Sequence, residues 1–239
     1  IRNNLTNNGT IIVNSDVNSS GSLQVNGNSS GNITYNRYVT DNWHTVGAPV
    51  IGQTIQQVAE NNQVIKNGDN SKYAIAPYNN DIPTNNWEYV LVADVASAGN
   101  FTNGKGYSMK RSSAGNYSFT GSIENNNKTV TLTDGSKNNW NLIANSYPTF
   151  LKFNNLTDAS SNLLLQNVAQ LNTNSLAVYI WDTPTSSYKP YNHSSTNLQY
   201  IAPGQAFFVK VKDGGGTFTF DKTLQSHNSG NVFARNSNS

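Results

Sequence analysis

Aromatic side chains are the residues here whose type and spacing could recognise a ligand. Tyr179, Trp181, Tyr188, Tyr191 and Tyr200 crowd one stretch, with His193 among them. Tyr73, Tyr78, Trp87 and Tyr89 crowd an earlier one. An aromatic face offers stacking area, and neighbouring Asn and Gln amides offer donors and acceptors, which together suit a sugar ring. Trp181, Tyr188, Tyr191 and Tyr200 are therefore the candidate ligand-binding residues. The competing reading is that such rings fill a core. Trp43 and Trp140, at the starts of two strand-like runs, are expected to do so.

Residues able to make or break bonds form no recognisable constellation. The chain has no Gly-x-Ser-x-Gly elbow, phosphate loop, dinucleotide fingerprint or His-Glu-x-x-His. His44, His193 and His227 lie far apart without partners at metal-ligand spacing. With no cysteine, disulfides, thiolate catalysis and cysteine metal sites are excluded. Asp81, Glu88 and Asp94 raise the thought of a glycosidase pair, but nothing fixes their separation, and solvated strand ends are the simpler reading. Asp69, Asp134, Asp158, Asp213 and Asp221 sit in or beside turns, where Asp bonds its own backbone. A calcium ion could draw on such oxygens, yet no Asp-x-Asp-x-Asp loop is present. The sequence thus assigns no catalytic residue, no cofactor and no metal ligand. Asn-x-Ser/Thr sequons, as at Asn4 and Asn100, reflect composition.

Composition narrows the class further. Charged residues make up 12% of the 239, about half the usual share of roughly 25%. Polarity comes instead from amides and hydroxyls, with 41 asparagines. The formal charge is +2 and the basic residues are scattered, so no basic stripe for nucleic acid exists. Lys210 and Lys212 alternate with Val209 and Val211, the pattern of a strand with one wet face. No apolar run approaches the roughly 18 residues of a membrane span. The chain opens at Ile1 with no signal peptide and its sole Met is Met109, so it reads as a piece of something longer.

Two repeats set the elements that must position these residues. Gly9-Thr-Ile-Ile-Val-Asn14 recurs as Gly21-Ser-Leu-Gln-Val-Asn26 and Gly31-Asn-Ile-Thr-Tyr-Asn36. Strand alternation puts Ile11, Val13, Leu23, Val25, Ile33 and Tyr35 on one face, as in stacked rungs of a β-solenoid or in a small meander. A longer repeat relates Asn42-Trp43-His44 to Asn139-Trp140-Asn141, Gly104–Lys110 to Gly204–Lys210, and Gly115–Phe119 to Gly215–Phe220, at offsets of about 97 to 101 residues. A unit of roughly 100 residues is a normal β-sandwich size. Two helices are expected, Ile55 to Ile65 capped by Thr54 and Ala159 to Leu171 capped by Asp158.

Asn139-Trp140-Asn141-Leu142-Ile143-Ala144-Asn145-Ser146-Tyr147-Pro148, Val178-Tyr179-Ile180-Trp181-Asp182 and Tyr200-Ile201-Ala202-Pro203-Gly204-Gln205-Ala206-Phe207-Phe208-Val209 carry a family resemblance. They resemble the C-terminal β-rich region of large secreted or cell-surface flavobacterial (Bacteroidota) proteins exported by type IX secretion. In those proteins the region follows a β-solenoid stalk and precedes the sorting domain. The solenoid-like opening, Gly104–Ser108 and Leu224–Arg235 fit as well, so the likeness covers nearly the whole chain. It implies an extracellular or cell-surface β-protein and no particular catalytic residue.

The expected fold is all-β: solenoid-like rungs or a meander over 1–38, a first β-sandwich repeat over 39–137 and a second over 138–239, forming either two sandwiches or one pseudo-symmetric domain. The expected function is a non-catalytic module of a surface adhesin or exported protein, with a polysaccharide or cell-surface glycan as partner. A structural spacer or solenoid cap is the main rival, with self-association through solenoid ends or strand edges as its filament form. A polysaccharide-active enzyme is the lesser alternative.

Overall fold

The computed structural model describes residues 1–154, 158–193 and 200–228. The described residues are mostly strand, with two short α-helices among them. It opens with β1 (Leu5–Thr6), β2 (Ile12–Asn14), β3 (Ser29–Ser30) and β4 (Ile33–Val39). β1 pairs parallel with β3, Leu5 opposite Ser29, and β2 pairs parallel with β4, Ile12 opposite Thr34. Parallel neighbours cannot be joined by a tight turn, so the chain must travel round before it returns. Asn14 and Asn36, matching ends of the Gly-to-Asn frame, stack with Asn36 Nδ2 donating to Asn14 Oδ1 at 2.7 Å. Five of the frame's six apolar positions point into one core, Ile11, Val13 and Leu23 at its margin and Val25 and Ile33 within it, and the sixth, Tyr35, is fully buried.

The far edge of β4 pairs antiparallel with β8 (Gly115–Gly121), from Ile33 opposite Gly121 to Val39 opposite Gly115. Between them come β5 (His44–Val46), α1 (Ile55–Asn61), β6 (Ile75–Pro77) and β7 (Tyr107–Met109), with β7 central in a sheet ordered β5-β7-β6. Thr54 caps α1 as expected, its hydroxyl accepting from Gln57 N at 3.2 Å. The helix stops at Asn61 rather than Ile65, because Gln63 turns the chain into the left-handed region at φ 54°.

The second half supplies β9 (Lys128–Leu132), β10 (Trp140–Ala144), β11 (Phe150–Lys152), α2 (Leu163–Asn167), β12 (Ala177–Asp182), β13 (Ser187–Asn192), β14 (Tyr200–Ile201), β15 (Ala206–Lys210), β16 (Gly216–Phe220) and β17 (Gln225–Ser226). Its main sheet runs β10-β15-β12-β13, flanked by β14-β11-β17 and by the β9–β16 pair. The helix expected over Ala159–Leu171 is broken into a 3₁₀ turn, α2 and a second 3₁₀ turn. Asn162 breaks it: its side chain leaves the helical pattern to cap α2, accepting from Leu165 N at 3.0 Å. Asp158 serves only the first turn, through Ser160 N at 2.9 Å.

The two halves share a strand register. His44 faces Met109 and Val46 faces Tyr107, as Asn141 faces Val209 and Ile143 faces Phe207. They also meet reciprocally. Val46 bridges to Gln205 while Ile143 bridges to Lys105. Gly47 N donates to Gly204 O, and Ala144 N donates to Gly104 O, both at 2.9 Å. The approach is close enough to demand glycine. A Cβ on Gly106 would fall 2.6 Å from Leu142 Cγ, and one on Gly47 would fall 2.4 Å from Ala144 Cβ. Each half keeps its own core, one around Ile75, Met109 and Phe119, the other around Leu151, Phe207 and Phe218.

Candidate functional site

Side-chain parity on the β10-β15-β12-β13 sheet creates the site. Val178, Ile180, Phe207 and Val209 point into the second core. Their neighbours point the other way. Leu142, Ala144, Ala206 and Phe208 form a small buried cluster there, with Trp140, Tyr179, Tyr78 and Trp87 packed against it. Residues 78–89 of the first half thus fold over the outer face of the second half's sheet. The rings meet edge to face: Tyr78 to Phe208 at 4.7 Å, Trp140 to Tyr179 at 4.7 Å and Trp181 to Tyr188 at 4.9 Å between centroids. In each pair the edge of one ring meets the face of the other, which fixes the relative tilt of the rings.

Three adjoining depressions result. The central one, about 270 Å³, is lined only by Tyr78, Trp87, Trp140, Tyr179, Tyr188 and Phe208. A second, about 260 Å³, shares Trp87 and Tyr188 and adds Trp43, Tyr89, Trp181, His44, Thr45 and Ser108. A third, about 330 Å³, shares Tyr78 and Trp140 and is otherwise lined largely by amides, hydroxyls and two lysines, among them Asn80, Asn103, Lys105, Lys128, Thr133 and Asn141. Shared residues make the three one continuous groove. All four tryptophans of the chain line it, and each is half-buried.

The candidate residues divide among several places. Trp181 and Tyr188 face each other across the β12–β13 pair and belong to the groove. Tyr188 is 37% exposed. Its burial and the nearby Tyr78 push its phenol well above the ordinary value, so the hydroxyl stays a donor. Tyr191 pairs with Val178 and packs against the second core on the opposite side of the sheet. Tyr200 lies on β14 with its ring 6.4 Å from Phe150, outside the groove lining. Tyr73 is core, and His193 is exposed. Trp43 and Trp140 are half-buried, Trp43 packed at the margin of the first core and Trp140 against the small outer cluster, so neither fills a core as fully as the sequence suggested. Asn42, His44 and Thr45 around Trp43, and Asn139 and Asn141 around Trp140, break the apolar alternation that would have shown which side each ring takes.

Fixed polar contacts hold the groove's walls. Trp181 Nε1 donates to Trp43 O at 2.9 Å, pinning the second half's sheet to the first half. Thr183 Oγ1 reaches the same carbonyl at 3.3 Å and His44 Nδ1 at 3.4 Å. His44 Nε2 accepts Thr40 N–H at 3.2 Å, which places the ring proton on Nδ1. Burial, reinforced by the charge of Arg37 and opposed by Asp41, pulls the His44 pKa down to about 4, so the ring is neutral. In the third depression, Thr133 Oγ1 donates toward Asn80 Oδ1 (3.0 Å) and Asn141 Oδ1 (3.2 Å). Asn103 Oδ1 there is shielded and without a hydrogen-bond partner. Among the described residues no three His, Asp or Glu side chains cluster as a metal site, and no carboxylate lines the groove. No protein family, curated protein or solved structure matches the chain.

Proposed function

We propose that the chain is a non-catalytic glycan-binding module and that the tryptophan-lined groove is its binding surface. One observation carries this reading: every tryptophan of the chain lines a continuous groove that passes into an amide- and hydroxyl-lined cleft. Pyranose rings have apolar faces and polar edges, and the groove offers partners for both. A groove without lining carboxylates favours holding a sugar over hydrolysing it, since hydrolysis uses a pair of them. An extracellular or cell-surface setting, in an adhesin or exported protein of the type IX kind, rests on the sequence resemblance.

The finer architecture belongs to the same proposal. The parallel β1–β3 and β2–β4 pairs and the stacked Asn14 and Asn36 support a solenoid-like coil at the N-terminal end. The shared register and reciprocal bridges support two copies of one ancestral unit joined about a pseudo-dyad. That coil is also the observation favouring a spacer or cap.

Retention on a panel of immobilised polysaccharides tests the binding reading. Saturable retention of the wild type should fall at least tenfold in Trp87→Ala and Tyr188→Ala, with circular dichroism unchanged. Tyr191→Ala, on the other face of the sheet, should keep its retention. No retention of any glycan, or equal retention in the groove variants, would leave the spacer reading standing.

A further inference from the structure

The groove is chemically asymmetric. Its central depression carries no charged side chain, whereas the third is lined by Lys105 and Lys128. Lys210 Nζ lies 5.8 Å from the centroid of Trp140, the ring that lines both depressions, though Lys210 lines neither. Among the described residues none of these three lysines is in an ion pair; the pair present joins Lys189 to Asp182. Carboxylates close to them in sequence accept from N–H groups instead: Glu124 from Asn126 N at 3.0 Å, Asp134 from Gly214 N at 2.7 Å and Asp213 from Asn139 Nδ2 at 3.2 Å. In a chain this poor in charge, three unpaired ammonium groups around one cleft are an electrostatic feature of the site rather than of the surface at large.

Hydroxyls and amides complete the cleft. Thr129, Thr131 and Thr133 all line it from β9 and the residue after, repeating at two-residue steps of about 6.6 Å along the strand. Asn103 adds a shielded oxygen with no partner, an arrangement that costs stability until a donor arrives.

Resting on the glycan-binding reading of this groove, we propose that its ligand is a linear anionic polysaccharide. Apolar sugar faces stack in the central depression around Trp87 and Tyr188. An acidic group, a carboxylate or a sulfate ester, is held between Lys105 and Lys128, with Lys210 adding to the field. The polymer therefore lies with an acidic residue at the cleft end and neutral faces at the aromatic end.

The test uses paired ligands that differ only in charge: polygalacturonate with its methyl ester, and a sulfated galactan with its desulfated form. The full chain should bind one charged member at least tenfold more tightly than its neutral twin, and the twin that shows the preference identifies the acidic group. The double variant Lys105→Gln/Lys128→Gln should lose that preference, the affinities for charged and neutral twins converging, and should flatten the salt dependence of binding. Lys72→Gln, outside the groove lining and equal in charge per site, should leave the preference intact. If charged and neutral twins bind alike and Trp87→Ala abolishes both, the acidic preference is overturned and the glycan platform stands. If the lysine variant matches the wild type, the anion is not held where we place it. If no twin is retained at all, both readings fall together.

Discussion

His44 shows how a single buried residue sets a condition on the whole groove. Its folded pKa of about 4 lies below the ordinary 6.5, so the unfolded chain binds the extra proton in between. Stability therefore rises with pH across that window and is lost as pH falls through it, by up to roughly 3 kcal/mol. Urea midpoints measured at about pH 7 and about pH 4.5 should show this loss, and His44→Gln should lose less on acidification. An equal acid response in that variant would assign the effect to other groups. Trp181 is the second residue with two duties, since its indole lines the groove and its Nε1 binds Trp43 O at 2.9 Å. Trp181→Phe keeps a ring and loses that bond, and should cost about 1 kcal/mol in thermal or chemical denaturation. The sequence made Trp181 and Tyr188 visible because their types and crowding pointed to stacking. It could not separate them from Tyr191, three residues beyond Tyr188, because a strand turned by one position faces the other side of its sheet. Nor could it show that Tyr78 and Trp87 fold over from the other half.

At the element scale, caps and amides do the positioning. Asn62 and Asn167 follow or end the two helices and act alike: Asn62 Oδ1 accepts from Ser118 N and Asn167 Oδ1 from Thr219 N, both at 2.7 Å. Asn167 also donates to Leu163 O at 2.9 Å and Thr219 O at 3.0 Å and is 3% exposed. Asn167→Ala strands a buried strand N–H, so it should cost about 1–3 kcal/mol by denaturant midpoint. Thr54→Ala removes the exposed cap of α1 and should cost about 1 kcal/mol, the smaller of the two. A cost for Thr54→Ala larger than for Asn167→Ala would reverse that ranking of buried over exposed bonds. Strand positions were legible because β-branched and aromatic runs alternate between Asn and Gly turns. The shortened helices were not, since one end involves a tertiary bond, Asn62 to Ser118, and the other turns on Asn162 taking a cap position at Leu165 rather than continuing the helix.

At the scale of the molecule, the reciprocal backbone bonds at Gly47 and Ala144 make the two halves one cooperative object. Tryptophan fluorescence and far-ultraviolet circular dichroism should report coincident unfolding transitions, because the groove tryptophans straddle the join. Two separated transitions would mean that the halves melt independently. Gly106→Val, which drives side-chain atoms into Leu142 and Ala206, should lower the midpoint and loosen the groove together.

One contact near the two ends of the described chain bears on force. Ser22 Oγ lies 2.9 Å from His227 Nδ1, and Leu23 N donates to Pro148 O at 2.7 Å. The N-terminal coil and the segment after β17 thus touch across a short bridge. A pull applied between these two segments would load that bridge directly, whereas drag on a polymer held in the groove would load the aromatic sheet.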